Sequence, residues 1–127
     1  MIVGIGTDLI QVGRIRKALN RLGDRFARRI LTPEELTVFL SHYDQAAFLA
    51  KRFAAKEALS KALNTGIGAI SWQNVQISNT SAGAPGIRLH GHAQELFIQR
   101  GGRNIFLSLS DERDYALAFV VLSSEGS

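Results

Sequence analysis

Two acids and two lysines in this chain stand at spacings that could serve phosphoryl chemistry. Asp8 closes the run Ile2-Val3-Gly4-Ile5-Gly6-Thr7-Asp8, and Lys56-Glu57-x-x-x-Lys61 lies in an alanine-rich segment. Magnesium takes oxygen ligands, keeps several waters and is commonly held by one or two carboxylates together with substrate phosphates. Asp8 and Glu57 could jointly meet that demand. Lysines within a turn of such an acid neutralise phosphate charge, which is the main requirement of phosphoryl transfer. The same residues also have plainer descriptions. A Glu followed four residues later by Lys is the ordinary stabilising pair of a solvated helix, and Asp8 could simply cap the next helix while the glycines mark a bulge.

Other chemistries are poorly supplied. Cysteine is absent, which removes disulfides, thiolate nucleophiles, iron–sulfur clusters and Cys-based zinc sites. His42, His90 and His92 form no H-E-x-x-H pair, so zinc is not expected. Neither G-x-x-x-x-G-K-[ST] nor G-x-G-x-x-G occurs, and Gly4-Ile5-Gly6 falls inside a strand pattern rather than at its end.

The elements that must position these groups are legible in outline. With 127 residues, 46% of them hydrophobic and 20% charged, the chain is expected to bury one core, as a single domain over residues 1–123 with a frayed tail over 124–127. Ile2 to Ile10 reads as a strand, with Gly4, Gly6 and Asp8 on one face and Val3, Ile5, Thr7 and Leu9 on the other. Residues 12–30 have helical period and carry seven of the fifteen cations, opposed only by Asp24. That excess reads either as a solvated face or as a landing site for an anionic partner. Thr32-Pro33-Glu34-Glu35 is a helix start, with Thr32 as cap, Pro33 in the first position and Glu35 closing a capping box.

Asp44 can cap the long helix that runs to Leu63 and stops near Asn64-Thr65-Gly66. On its wheel Arg52 and Lys56 fall within the apolar arc of Phe48, Leu49, Ala55, Leu59 and Leu63, while Glu57 and Lys61 lie on the far side. Short strands at 75–78 and 87–89, a helix over 91–100, and two alternating strands at 104–110 and 115–122 complete the pattern. The N-terminus has no basic start and its apolar run is broken by Asp8, so a cytoplasmic protein that does not span membranes is expected.

Taken together, Ile2-Val3-Gly4-Ile5-Gly6-Thr7-Asp8-Leu9-Ile10 with Arg14-Ile15, and Arg52-Phe53-Ala54-Ala55-Lys56-Glu57-Ala58-x-x-Lys61-Ala62, resemble the paired signatures of bacterial holo-(acyl-carrier-protein) synthases, the small class of 4′-phosphopantetheinyl transferases. Thr65-Gly66-Ile67-Gly68, Gly83-Ala84-Pro85 and Leu107-Ser108-Leu109-Ser110-Asp111 extend the likeness over nearly the whole chain. The resemblance implies an α+β fold, mainly antiparallel sheet packed on a long central helix and shorter helices. It also implies transfer of 4′-phosphopantetheine from coenzyme A to a serine of apo acyl carrier protein in support of fatty acid biosynthesis, with release of adenosine 3′,5′-bisphosphate.

Carried over by position, Asp8 and Glu57 would hold Mg2+, and Glu57 or a water on the metal would take the serine proton. Lys61 would stabilise the leaving phosphate. Arg52 and Lys56, sharing a stripe with Ser60, would meet the nucleotide phosphates. Gly66, Ile67, Gly68 and Pro85 would line the nucleotide. Arg14, Arg21, Arg25 and Arg28 would receive the acidic carrier protein, and homotrimers with active sites between neighbours are expected. Two departures stand out: an acid at Asp111 where many relatives have a nucleotide-contacting histidine, and Ala84 where a basic residue is common.

Two other readings compete. The formal charge of +4 and pI near 10.0 would suit a basic nucleic-acid-binding module, which leaves Asp8 and Glu57 without a role. A magnesium-dependent nucleotide hydrolase shares the metal logic but has no need of an acidic protein partner.

Overall fold

The structure is a computed structural model that describes residues 1–79 and 82–125. Its elements are β1 (Ile2–Gln11), α1 (Val12–Leu22), α2 (Asp24–Ile30), α3 (Pro33–Leu40), α4 (Gln45–Ala62), a 3-10 turn at Trp72–Asn74, β2 (Val75–Asn79), β3 (Pro85–Leu89), α5 (Gly91–Gln99), β4 (Asn104–Asp111) and β5 (Tyr115–Ser123). The fold is α+β. One antiparallel sheet has the order β1-β5-β4 and a second pairs β2 with β3.

Helix α4 is the axis of the molecule. Its alanine face, with Leu59 and Leu63, packs under the larger sheet against Ala118, Val120 and Leu122 and reaches the smaller sheet at Val75, Ile77 and Leu89. Its first half carries Phe48, Leu49 and Ala50 into a second apolar cluster with Val12, Ile15, Ile30, Leu31 and Phe39 of the helical layer. The Asp44 carboxylate accepts from the Ala47 N–H at 3.2 Å and starts the helix.

The expected strand at the N-terminus forms, with a register irregularity against β5 between Ile2 and Gly4, and the glycines on it also have a packing reason. A Cβ on Gly6 would lie 2.0 Å from the Ala58 carbonyl oxygen, and one on Gly4 would lie 2.2 Å from the Ala62 carbonyl oxygen. Strand backbone therefore rests directly on helix backbone, a contact only glycine permits. Asp8, the next residue on that face, pairs in register with Ala118.

Residues 12–30 depart from the single helical run suggested by their period. Gly23 (φ +67°) ends α1, its N–H donating to the Leu19 carbonyl at 2.7 Å, and α2 begins at Asp24. A positive φ breaks the helix register that charge periodicity alone could not reveal. The Thr32–Glu35 capping box is present in full: the Thr32 side chain accepts from the Glu35 N–H, and the Glu35 carboxylate accepts from the Thr32 N–H. At the C-terminus the Ser124 N–H donates to the Met1 carbonyl at 2.8 Å, while residues 126–127 of the expected frayed tail lie outside the described residues.

The opposite face of the larger sheet is apolar and uncovered. Ile5, Leu9, Phe106, Leu117 and Phe119 are between 40% and 63% exposed on it. Among the described residues, no helix is long and apolar enough to cross a membrane.

Because Gly6 has no spare volume, Gly6→Ala is expected to lower unfolding free energy by at least about 1–3 kcal/mol through overpacking. Gly13→Ala, with nothing within 4 Å of the added carbon, is expected to be neutral or slightly stabilising in the same urea titration. Equal midpoints for the two variants would contradict the backbone-contact account.

Candidate active site

The carboxylate of Asp8 leaves β1 where α4 presents Glu57 and Lys61. The Lys61 ammonium donates to Asp8 Oδ1 at 3.1 Å and to the Thr7 carbonyl at 3.0 Å. Glu57 is partly buried, and its pKa is raised, chiefly by burial and further by repulsion from Asp8, with Lys61 opposing. Asp8 is close enough for its charge to be felt at Glu57, so strand and helix bring the three groups to one place. The residues of the two motifs meet there although Asp8 and Lys61 are 53 residues apart in the chain.

This donor set suits a hard divalent cation only in part. Among the described residues, no group of three His, Cys, Asp or Glu stands together. Two carboxylates are what magnesium takes when waters and substrate phosphates complete its shell, and on donor chemistry Asp8 and Glu57 fit that ion. A caged structural metal would need more.

Arg52 lies one stripe away. Its side chain is 11% exposed, with Nε 3.9 Å from Glu35 Oε2 and without a hydrogen-bond partner, and its guanidinium stands 4.6 Å above the Phe48 ring centroid. Burial pushes its pKa down and Glu35 opposes. It borders a cavity of about 430 Å³ lined also by His42, Lys51, Gln76 and Asn79. The unpartnered Nε is sealed from solvent beside Glu35, and Glu34 and Glu35 line the same cavity with the arginine. Pro85 pairs across the small sheet with Asn79, and Gly66 (φ +72°) and Gly68 (φ +119°) flank Ile67 in the loop that leaves α4. Arg14 and Arg21 are exposed on α1, and Arg25 and Arg28 are exposed on α2.

Lys56 and Ser60 do not sit where the stripe with Arg52 suggests. The Lys56 ammonium is fully buried and donates to Glu35 Oε1 at 2.7 Å, the Ile30 carbonyl at 2.7 Å and the Trp72 carbonyl at 3.1 Å. Its three donors are used and sealed from solvent, so it does not face a ligand phosphate. Burial pushes its pKa down against the pull of Glu35. Ser60 is likewise buried, its hydroxyl donating to the Glu57 carbonyl at 2.7 Å. The partner that sequence reading missed is Glu35. It reads as a capping residue, but its second oxygen also accepts the Ile77 N–H at 2.7 Å, and only the folded chain brings Lys56 to it. Asp111 stands 4.0 Å from Lys51.

A family model for the 4′-phosphopantetheinyl transferase superfamily matches residues 4–120. The chain is 53% identical to the holo-[acyl-carrier-protein] synthase of Vibrio cholerae serotype O1, over 96% of this chain and 98% of that one. It is 49% identical to that of Shewanella frigidimarina, over 97% and 98% respectively. Among solved structures, the synthase of Neisseria meningitidis superposes with a TM-score of 0.89 at 46% identity, covering 97% of this chain and 99% of that one. The Bacillus anthracis synthase in complex with CoA (3′,5′-ADP) gives 0.82 at 38% identity, covering 98% and 99%. The chain belongs to the 4′-phosphopantetheinyl transferase superfamily, among its holo-[acyl-carrier-protein] synthases.

Breaking a buried ion pair strands its partner, so Lys56→Met is expected to destabilise the fold by about 3–5 kcal/mol, read from urea unfolding. A change below about 0.5 kcal/mol would return Lys56 to the pool of ligand-facing cations.

Proposed function

We propose that this chain transfers 4′-phosphopantetheine from coenzyme A to a serine hydroxyl of apo acyl carrier protein and releases adenosine 3′,5′-bisphosphate, with Mg2+ held by Asp8 and Glu57. The convergence of Asp8, Glu57 and Lys61 at the contact of β1 with α4 carries the reading. The donor substrate is supported by relatives from Bacillus anthracis and Helicobacter pylori solved with CoA, and the acceptor by the name those relatives share.

Bound magnesium would supply charge neutralisation at the diphosphate. The chain's own groups do the rest. Glu57, made more basic by burial, takes the serine proton through a water. The serine oxygen bonds to the β-phosphorus, and the bond from that phosphorus to the departing bisphosphate oxygen breaks. The Lys61 ammonium offsets the charge that gathers on the departing group. Arg52 binds nucleotide phosphate from the cavity wall, while Gly66, Ile67, Gly68 and Pro85 line the nucleotide.

The acidic carrier docks on Arg14, Arg21, Arg25 and Arg28 by charge complementarity, which speeds and orients encounter. The uncovered apolar sheet face is closed by assembly into a homotrimer with active sites between subunits. The product carrier serves fatty acid biosynthesis in the cytoplasm.

Incubation with magnesium, coenzyme A and apo carrier protein is expected to add one phosphopantetheine mass to the carrier, read by mass spectrometry. Asp8→Ala and Glu57→Ala are each expected to slow this by roughly 100-fold or more. Unchanged turnover in both would remove the metal assignment. Sedimentation equilibrium is expected to give three times the 13.9 kDa chain mass, and Phe119→Glu to give the single-chain mass. A monomeric wild type would overturn the assembly.

A further inference from the structure

Lys61 has a contact that its part in the transfer does not call for. Its ammonium is bound to Asp8 Oδ1 at 3.1 Å and to the Thr7 carbonyl at 3.0 Å, two acceptors from neighbouring residues of β1. A lysine so placed occupies one of the two oxygens of the carboxylate read as a ligand for the divalent cation. We propose that Lys61 is a resident counter-ion which competes with divalent metal for Asp8 until a diphosphate draws it away. This rests on the reading of Asp8 and Glu57 as the metal ligands.

The physical argument is one of charge exchange. With Lys61 at 3.1 Å, Asp8 is already ion-paired, and a dication approaching it meets a positive charge a few ångströms off. A diphosphate offers new anionic oxygens, so the ammonium changes partner and frees the carboxylate. Lys61 is 51% exposed on its side chain while Asp8 is 16% exposed. The lysine therefore has solvent room to swing while the acid stays seated. The Thr7 carbonyl, an uncharged acceptor on the same strand, gives the ammonium a hold that does not depend on Asp8. Metal and diphosphate then favour each other's binding, and the coupling is the same from either side. If Lys61–Asp8 were only a half-exposed ion pair of the kind that contributes little, its loss would leave metal affinity unchanged.

Free Mn2+ followed by electron paramagnetic resonance separates these outcomes without turnover, with carrier protein omitted. Lys61→Met is expected to bind Mn2+ alone roughly three- to tenfold more tightly than wild type. The tightening that coenzyme A brings to wild type, corrected for Mn2+ bound by coenzyme A itself, is expected to shrink by a similar factor. Asp8→Asn, expected to lose the site, localises the signal, and Lys61→Gln replaces the methionine variant if circular dichroism shows misfolding. Equal or weaker Mn2+ affinity in the Lys61 variant, with binding still lost in Asp8→Asn, would overturn the counter-ion while sparing the metal ligands. No Mn2+ bound by wild type beyond that held by coenzyme A would overturn both.

Discussion

The contact of one glycine strand with one helix backbone governs this molecule. Two residues along a strand advance about 6.6 Å, and four residues along a helix about 6 Å. Gly6 over the Ala58 carbonyl and Gly4 over the Ala62 carbonyl use that near-match, so β1 lies on successive turns of α4 while running the other way. No side chain intervenes to let the two elements slide. Asp8 is the next residue on the same strand face, and Glu57 and Lys61 flank the turn at Ala58. The position of the acids is therefore set by backbone contact, the least compliant kind of packing available.

A second constraint holds the remaining layers to this pair. Glu35 joins the start of α3, through the Thr32 N–H, to the Lys56 ammonium on α4 and to the Ile77 N–H on β2. Lys56 adds the carbonyls of Ile30 and Trp72. Five segments are thus tied by one ion pair with no solvent access. Such a pair gains little over an apolar core. Its directional bonds instead specify where the smaller sheet sits, and with it the wall of the Arg52 cavity, which Gln76, Ile77 and Asn79 help to form.

Much of this was legible in local pattern. The Thr32–Glu35 box, the Asp44 cap, the glycine spacing of β1 and the alternation of the last two strands are short-range signals, and the structure follows each. The candidate pair Asp8 and Glu57 came from two motifs taken together, since neither alone distinguishes a ligand from a cap or a helix-surface acid. What failed was whatever depends on a distant partner. Gly23 breaks residues 12–30 through a backbone angle that the charges around it do not encode. Lys56 looks like a ligand cation beside Arg52 until Glu35, 21 residues earlier, is brought against it.

Two of the three lysines of α4, Lys56 and Lys61, show why a single residue type serves two ends here. A helix turns about 100° per residue, so Glu57 and Lys61 lie about 40° apart, whereas Lys56 and Lys61 diverge by about 140°. Lys56 points into the helical layer, where desolvation disfavours its charge and three acceptors must hold it. Lys61 points to β1, where its half-exposed ammonium pairs with Asp8 and water solvates its charge. A buried cation with every donor used resists movement, and a half-exposed one sharing a carboxylate does not. The fold therefore keeps one charge fixed inside the helical layer and leaves the other half-exposed at the contact of β1 with α4.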